Sequence, residues 1–304
     1  MGDRVAVLAT MCFAAANVTI TRGAARDAAN NGAFLSILMT MALSALAMLV
    51  FRPPQGSHAA NLAGVAWFAA SGVLTIFIGR VFLYASVQHL GAVRASAVKR
   101  LNPVFSVLLG ILLLGEPVGG SMVGGMLLIF ASFALLAVQS RRSLPAAQSG
   151  IARGGAMRSM ANLGYFYGPV SALAYATGYL ARKQGLLAMP DPNFGTLISA
   201  LAGAATFVVA GLFVASYASA LRSTFARVNP WLLAAATLSS IGQILQFVAL
   251  NYSAISRVAL IMSLEVIVTM LLSFWLLRRR EQMGPLTVFA ALLSVAGAVL
   301  VIRY

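Results

Sequence analysis

A few charged side chains stand inside long apolar stretches of this sequence. Lys99 and Arg100 are adjacent, Arg80 and Arg94 lie in the same region, and Glu265 stands in an apolar stretch of the second half. Arginine binds carboxylate or phosphate oxygens two at a time, and lysine supplies a compact positive charge. One carboxylate cannot neutralise several cations, so these residues predict a binding site for a small anion.

Glu265 and the outlying arginines each have two alternative roles. Glu265 either forms a buried salt bridge with Arg100 or acts as a gate or proton carrier. Arg80, Arg94 and Arg257 stand one or two turns from a predicted helix end, so they either line a cavity or extend to the nearer membrane surface. The sequence leaves both choices open.

Uncharged and capping residues give a second set of candidates. Gln243 and Gln246 share one face of a predicted helix, and Asn17 lies in the first one. These three either contact a substrate or form hydrogen bonds between helices. Glu116 and Glu281 each precede a predicted helix, where the positive end of the helix dipole favours a carboxylate. They predict caps rather than ligands.

The composition requires lipid as the solvent of most of the chain. Apolar residues make up 61% of the 304 residues and charged residues 9%, whereas soluble domains carry roughly 25% charged residues. The apolar runs do not alternate with polar residues as barrel strands do, and they have the length, about 20 residues, that crosses a bilayer as a helix. The fold class is therefore an all-α membrane protein.

Several functions are excluded on residue types. The sequence has no phosphate-binding glycine loop with a lysine, no histidine pair at metal-ligand spacing and no carboxylate cluster. We therefore expect no catalytic residues, no metal and no cofactor, and the chain is not predicted to be an enzyme. The net charge of +15 lies mostly in loops and helix ends, where it favours anionic lipid headgroups over nucleic acid.

The apolar runs predict ten membrane-spanning helices in two halves. The first repeat covers residues 1–138, a polar linker 139–158, and the second repeat 159–304. The predicted helices cover residues 4–21, 32–51, 62–86, 91–114, 118–138, 160–181, 194–217, 231–250, 253–277 and 284–302.

An offset of 165 residues aligns the two halves from Gly91 to Leu136 without a gap. It places Glu116 on Glu281 and Arg100 on Glu265. Five is an odd number, so the second half starts on the opposite side of the membrane from the first. This inverted-topology repeat is common in secondary transporters.

Two further predictions concern orientation and assembly. The side that holds the termini collects fewer basic residues than the other, Arg4, Arg52, Arg182, Lys183 and Arg303. The positive-inside rule then places both termini outside the cytoplasm. Small residues recur every four positions on the fifth and tenth predicted helices and indicate close helix contacts, with a dimer face as one option, so the chain is expected to be a monomer or a homodimer.

The sequence resembles the EamA family of the drug/metabolite transporter superfamily. The resemblance rests on residues 100–105, on 112–116 with the following Gly124, and on their echo in Glu281 and residues 290–302. It implies ten helices and a central cavity lined mainly by helices one, three, four, six, eight and nine. It also implies alternating access without ATP, metabolite export from a bacterial cell through the inner membrane, and termini in the cytoplasm.

The leading hypothesis is a secondary transporter, expected to be an exporter, for a small organic anion or zwitterion such as a carboxylate, an amino acid or a phosphate ester. Lys99 and Arg100 hold the acidic group, and Glu265 is the gate or proton site, so transport is proton-coupled or an exchange. An alternative is export of neutral or cationic metabolites or drugs with Glu265 as the recognition group. A lipid scramblase or a scaffold without transport is the alternative from another class.

Overall fold

The structure is a computed structural model that describes most of the chain. Four of the charged candidates, Arg80, Arg94, Lys99 and Arg100, lie outside the described residues, and so does Glu281. The described residues are 1–24, 33–51, 61–79, 82, 101–142, 155–226, 229–277 and 285–303.

The described chain is built from α-helices. A π-helical segment, Val73–Gly79, continues α3 without a break. The helices are α1 Gly2–Ala24, α2 Ala33–Val50, α3 Leu62–Gly72, α4 Asn102–Leu114, α5 Gly120–Arg142, α6 Gly155–Ala188, α7 Pro192–Phe213, α8 Ala215–Ala226, α9 Pro230–Tyr252, α10 Ile255–Met262, α11 Glu265–Leu277 and α12 Pro285–Arg303.

Local signals in the sequence set several helix ends. The Asp191 carboxylate accepts hydrogen bonds from the first backbone N–H groups of α7, and the Asn229 side chain does the same for α9. Each cap is followed by proline, which is favoured at the first helical position because it has no N–H to satisfy. Gly115 ends α4 with φ of 61°, a left-handed conformation that glycine adopts at little cost.

The helices have the composition of membrane spans. In the described part of the chain, three helical segments are long and apolar enough to cross a bilayer, Leu62–Gly79, Pro192–Phe213 and Pro230–Tyr252. Shorter apolar helices accompany them, and large apolar side chains such as Leu112 and Trp275 are exposed on the outer surface. This is a multi-pass helical membrane protein. The count of ten spans and the inverted repeat remain predictions.

Contacts at one end of the bundle fix the directions of several helices. Asp3, in the first turn of α1, contacts Ser253 after α9 and Arg257 in α10. Lys183, near the end of α6, donates to the backbone oxygens of Leu250 and Ser253. The start of α1, the end of α6 and the end of α9 therefore lie together. We call this the α1-start end of the bundle.

Close helix packing uses the small residues of α5 and α12. A Cβ atom on Gly125 would lie 2.5 Å from the backbone oxygen of Gly297, so neither position has room for a side chain. Ala290, Ser294 and Ala298 on α12 are buried inside the chain. These three residues therefore form helix contacts within one chain and are not available as a dimer face.

Three predicted boundaries are wrong. The sixth predicted helix was expected to end at residue 181, but α6 continues to Ala188. Residues 218–230 were expected to be a loop, but α8 covers most of them. The ninth predicted helix was expected to be continuous, but a turn at Ser263 and Leu264 divides it into α10 and α11.

Candidate functional site

The centre of the candidate site is Arg182, on α6. Its side chain is among the most deeply buried in the described chain, with the residue 1% exposed. Nε donates to Ser71 Oγ at 3.0 Å, Nη1 to Gln246 Oε1 at 2.6 Å and Nη2 to Thr75 Oγ1 at 2.9 Å. The guanidinium therefore joins α6 to α3 and α9 in the interior.

Gln243 completes the shell of Arg182. With its amide oxygen towards the guanidinium, Gln243 accepts from Nη2 at 2.6 Å and from Nη1 at 3.0 Å. All five guanidinium N–H groups then have neutral acceptors. The rings of Phe247 and Tyr179 lie 4.7 Å and 5.3 Å from the guanidinium carbon, which adds cation–π attraction.

The positive charge of Arg182 has no acidic partner in the described part of the chain. Within those residues, no carboxylate oxygen lies within 4.0 Å of a nitrogen of the Arg182 guanidinium, and the ion pair found there joins Arg257 to Asp3. Neutral oxygens stabilise the cation by their dipoles without cancelling its charge. An anion that reached this site would gain the interaction that the protein leaves unused.

Helix geometry places this charge deep in the membrane. Ser71 and Thr75 follow Leu62, the first residue of α3, by nine and thirteen residues. At 1.5 Å per residue they lie roughly 14–20 Å from that end, and Gln246 and Gln243 lie roughly 9–14 Å from the end of α9, well inside a hydrocarbon core about 30 Å thick. A charge at such depth costs at least a few kcal/mol and marks a functional site by default.

The local structure of α3 and α9 explains why these groups converge. Ser71 and Thr75 are four residues apart, and Gln243 and Gln246 three apart, so each pair shares one helix face. The π-helical segment starts between Ser71 and Thr75, and such segments are frequent at functional sites. Gln246 is also fixed from its other side, because Nε2 donates to Met262 Sδ at 3.1 Å.

A small polar cavity lies on the other side of Gln243. Its volume is about 60 Å³, enough for a few water molecules. Gln243 lines this cavity and also contacts Arg182, so its side chain separates the guanidinium from the cavity. The lining residues are Phe13, Ser36, Ile37, Thr40, Ile76, Thr196, Ser199, Ala200, Ser239 and Gln243.

Two more of the predicted residues meet elsewhere in the interior. Asn17 Nδ2 donates to Glu265 Oε1 at 2.6 Å, joining α1 to α11. Glu265 stands in the first turn of α11, directly after the turn that interrupts the helix. The predicted pairing of Glu265 with Arg100 involves a residue outside the described ranges and stays a prediction.

Arg257 is engaged at the α1-start end of the bundle. Its Nη1 lies 3.2 Å from Asp3 Oδ2, and the two side chains are 26% and 17% exposed. The Asp3 carboxylate also accepts from Ser253 Oγ at 2.9 Å. Arg257 therefore forms a half-buried ion pair between α10 and α1.

Glu116 caps a helix, as predicted, but the helix is not the one that follows it. Its carboxylate accepts from the backbone N–H of Ile255 at 2.5 Å and of Ser256 at 3.0 Å, and from the Ser256 hydroxyl. These are the first residues of α10, in the second half of the chain. Glu116 thus connects the end of α4 to the start of α10.

Arg182 is not among the predicted site residues, because the sixth predicted helix ends one residue before it. The sequence does indicate that this helix continues past Arg182. No proline interrupts residues 170–189, and Pro190 with the capping Asp191 marks the true stop. Of the predicted residues, Gln243 and Gln246 surround this missed arginine, and Asn17 and Glu265 form a separate pair.

Comparisons with known proteins identify the family. The EamA-like transporter family matches residues 1–138 and 162–303. A Pseudomonas aeruginosa protein named "Uncharacterized protein PA1977" is 31% identical over 101 residues, and the match spans 33% of this chain and 34% of that protein. A solved structure described as "Crystal structure of protein" is similar with a TM-score of 0.69 at 16% identity, covering 99% of this chain and 97% of the other.

The structural similarity supports the fold, and the family match supports the class of protein. The match covers both halves of the chain, as the internal repeat predicts. The resemblance read from the sequence is confirmed: this chain belongs to the EamA-like transporter family, membrane transporters of the drug/metabolite transporter superfamily.

Proposed function

We propose that this protein is a secondary transporter that moves a small organic anion or zwitterion across the bacterial cytoplasmic membrane, in the direction of export. The observation that supports this most is Arg182, buried between membrane-spanning helices with neutral partners among the described residues. A protein that only needed a stable interior would be at least as stable with apolar side chains there.

The chemistry of the site matches an acidic group. A guanidinium binds a carboxylate or a phosphate with two parallel hydrogen bonds, each stronger than a bond to a neutral oxygen. Lys99 and Arg100 remain proposed members of the substrate site, with Arg80 and Arg94 as further cations near the same path. Together they would draw an anion into the centre of the bundle.

Glu265 is the proposed gate or proton site. It stands at the interruption between α10 and α11, where the first N–H groups of a helix favour negative charge. Its hydrogen bond from Asn17 is 2.6 Å long and joins two helices. Movement of α11 relative to α1 would break that bond, which ties the protonation of Glu265 to the conformational cycle.

A second candidate function is export of neutral or cationic metabolites, with Glu265 as the recognition group. The Asn17 contact supports it, because an amide donor keeps a carboxylate accessible as an acceptor on its second oxygen. Under this function, neutralising Glu265 would abolish transport, and removing the charge of Arg182 would affect only stability.

The test is ligand binding by purified protein. A ligand stabilises the native state by mass action, so thermal unfolding is measured with carboxylates, amino acids, phosphates and nucleosides. Arg182→Gln should remove the stabilisation by anions. Arg257→Gln, which removes an arginine at the end of the bundle, is the matched control and should retain it. Anion stabilisation that survives in Arg182→Gln would exclude the proposed site.

A further inference from the structure

The side chain of Gln243 occupies the place at Arg182 that an anion would take. Its amide oxygen accepts from both Nη atoms, at 2.6 and 3.0 Å. This is the forked approach that a carboxylate makes to a guanidinium, with one neutral oxygen in place of two charged ones. The other acceptors, Ser71, Thr75 and Gln246, contact only one nitrogen each.

Gln243 is also the member of the shell that can leave. Gln246 is buried at 1% exposure and held from two sides, by Arg182 and by Met262. Gln243 is only half-buried and borders the polar cavity. A rotation of its side chain into that cavity would expose both Nη atoms without moving a helix.

We propose that Gln243 is a displaceable stand-in for the substrate's carboxylate, and that the substrate is a small monocarboxylate with a polar substituent. This rests on the proposed function, in which Arg182 holds the anion. On binding, the carboxylate replaces the amide oxygen at Nη1 and Nη2. The displaced amide turns to the hydroxyl-lined side of the cavity.

Arg182 by itself balances one carboxylate. One guanidinium and one carboxylate give a neutral pair, whereas the second charge of a phosphate ester would need a further cation such as the proposed Lys99 or Arg100. Hydroxyl groups of Ser36, Thr40 and Ser239 line the adjacent cavity and can donate to or accept from a polar substituent. The cavity lining thus suits a hydroxyl or ammonium group beside the carboxylate.

Gln243 also sets the discrimination against neutral compounds. A ligand must replace two hydrogen bonds that the amide already makes. Another neutral carbonyl gains nothing by this exchange, while a carboxylate gains because it brings a negative charge and two acceptor oxygens to the guanidinium. Gln243 therefore makes the site select negatively charged ligands over neutral ones.

Binding of acetate, lactate, alanine, inorganic phosphate and the neutral analogue lactamide to purified protein tests this proposal. The wild type should bind lactate or alanine and not lactamide. Gln243→Glu should lower monocarboxylate affinity by about tenfold or more, because the new carboxylate occupies the guanidinium permanently. The melting temperature of this variant should be unchanged or higher, which separates occupation of the site from misfolding.

The matched variant is Gln243→Ala, which leaves the site open. It should bind monocarboxylates at least as tightly as the wild type and should discriminate less against lactamide. Equal lactate affinity in Gln243→Glu and wild type would overturn the stand-in role, and so would loss of binding in Gln243→Ala. Preference for phosphate, or no binding of any monocarboxylate, would overturn the substrate class.

The outcome for Arg182→Gln separates this inference from the proposed function. If Arg182→Gln loses anion binding while Gln243→Glu keeps it, the anion site stands and the stand-in role fails. If Arg182→Gln binds anions like the wild type, both fail.

Discussion

Replacing Glu116 by glutamine should destabilise the protein through a helix that lies 139 residues further along the chain. The carboxylate of Glu116 accepts from the N–H groups of Ile255 and Ser256 and from the Ser256 hydroxyl. Glutamine has nearly the same shape but offers one acceptor oxygen. Its NH₂ group would face a backbone donor at the start of α10.

The structure sets the size of the effect. The substitution removes the negative charge from a helix N-terminus, worth up to about 2 kcal/mol where the site is partly buried. It also removes at least one hydrogen bond to a charged group, worth roughly 1.5–3 kcal/mol. These contributions overlap, so we expect the free energy of unfolding to fall by about 3 kcal/mol.

Equilibrium unfolding in detergent measures this change, with the 3 tryptophans of the chain as the fluorescence signal. Ser256→Ala removes one of the same hydrogen bonds and should lower stability by about 1 kcal/mol. In the double variant the two effects should not add, and the coupling energy should be about 1 kcal/mol because both residues act in one contact. Glu116→Asp keeps the negative charge on a shorter side chain, so it tests whether the carboxylate must extend as far as the first N–H groups of α10.

Two results would refute this reasoning. A loss below about 0.5 kcal/mol in Glu116→Gln would equal that of an ordinary surface substitution. Additivity of the Glu116 and Ser256 variants would show that the residues act independently and that Glu116 does not hold α10.

Three other predictions concern packing, gating and surface charge. Gly125→Ala should destabilise the α5–α12 contact by about 1–3 kcal/mol, because its Cβ would lie 2.5 Å from a backbone oxygen. The control is Gly120→Ala, whose Cβ would have no neighbour within 4 Å and which should leave stability unchanged. Thermal unfolding of both variants measures the difference. Glu265→Gln should keep the hydrogen bond from Asn17, and hence stability, but should remove the pH dependence of transport in liposomes. Asp3→Asn weakens a half-buried ion pair and should cost no more than about 1 kcal/mol in chemical unfolding, with a larger loss arguing for a buried network.

The family and the class of fold could be predicted because they depend on residue properties averaged over long stretches of the sequence. Apolar runs indicate membrane helices whatever their contacts, and the spacing around residues 100–116 recurs in the second half. Caps are also local signals. Asp191 followed by Pro192 marks the start of α7, although the seventh predicted helix was placed from residue 194. Glu116 could be predicted as a cap, although not its partner in space.

The predicted helix boundaries are wrong where contacts between residues distant in the sequence decide the structure. A run of apolar residues ends at the first charged pair, so the sixth predicted helix stops before Arg182 and Lys183. In the structure α6 continues and buries that arginine against α3 and α9. The turn at Ser263 and Leu264 contains neither proline nor glycine, so the sequence does not indicate it. Placing Arg182 in the interior also removes one positive charge from the side of the termini, which strengthens the charge bias that predicts termini outside the cytoplasm.

Under the proposed function, the depth of Arg182 would make the membrane potential part of the transport cycle. A charge that crosses the full potential changes in energy by about 2.3 kcal/mol for each 100 mV. The empty site would carry the positive charge of Arg182, and a bound monoanion would neutralise that charge. Voltage would therefore act on the return of the empty carrier and hardly on the movement of the loaded one, so the potential of the cell would change the turnover rate.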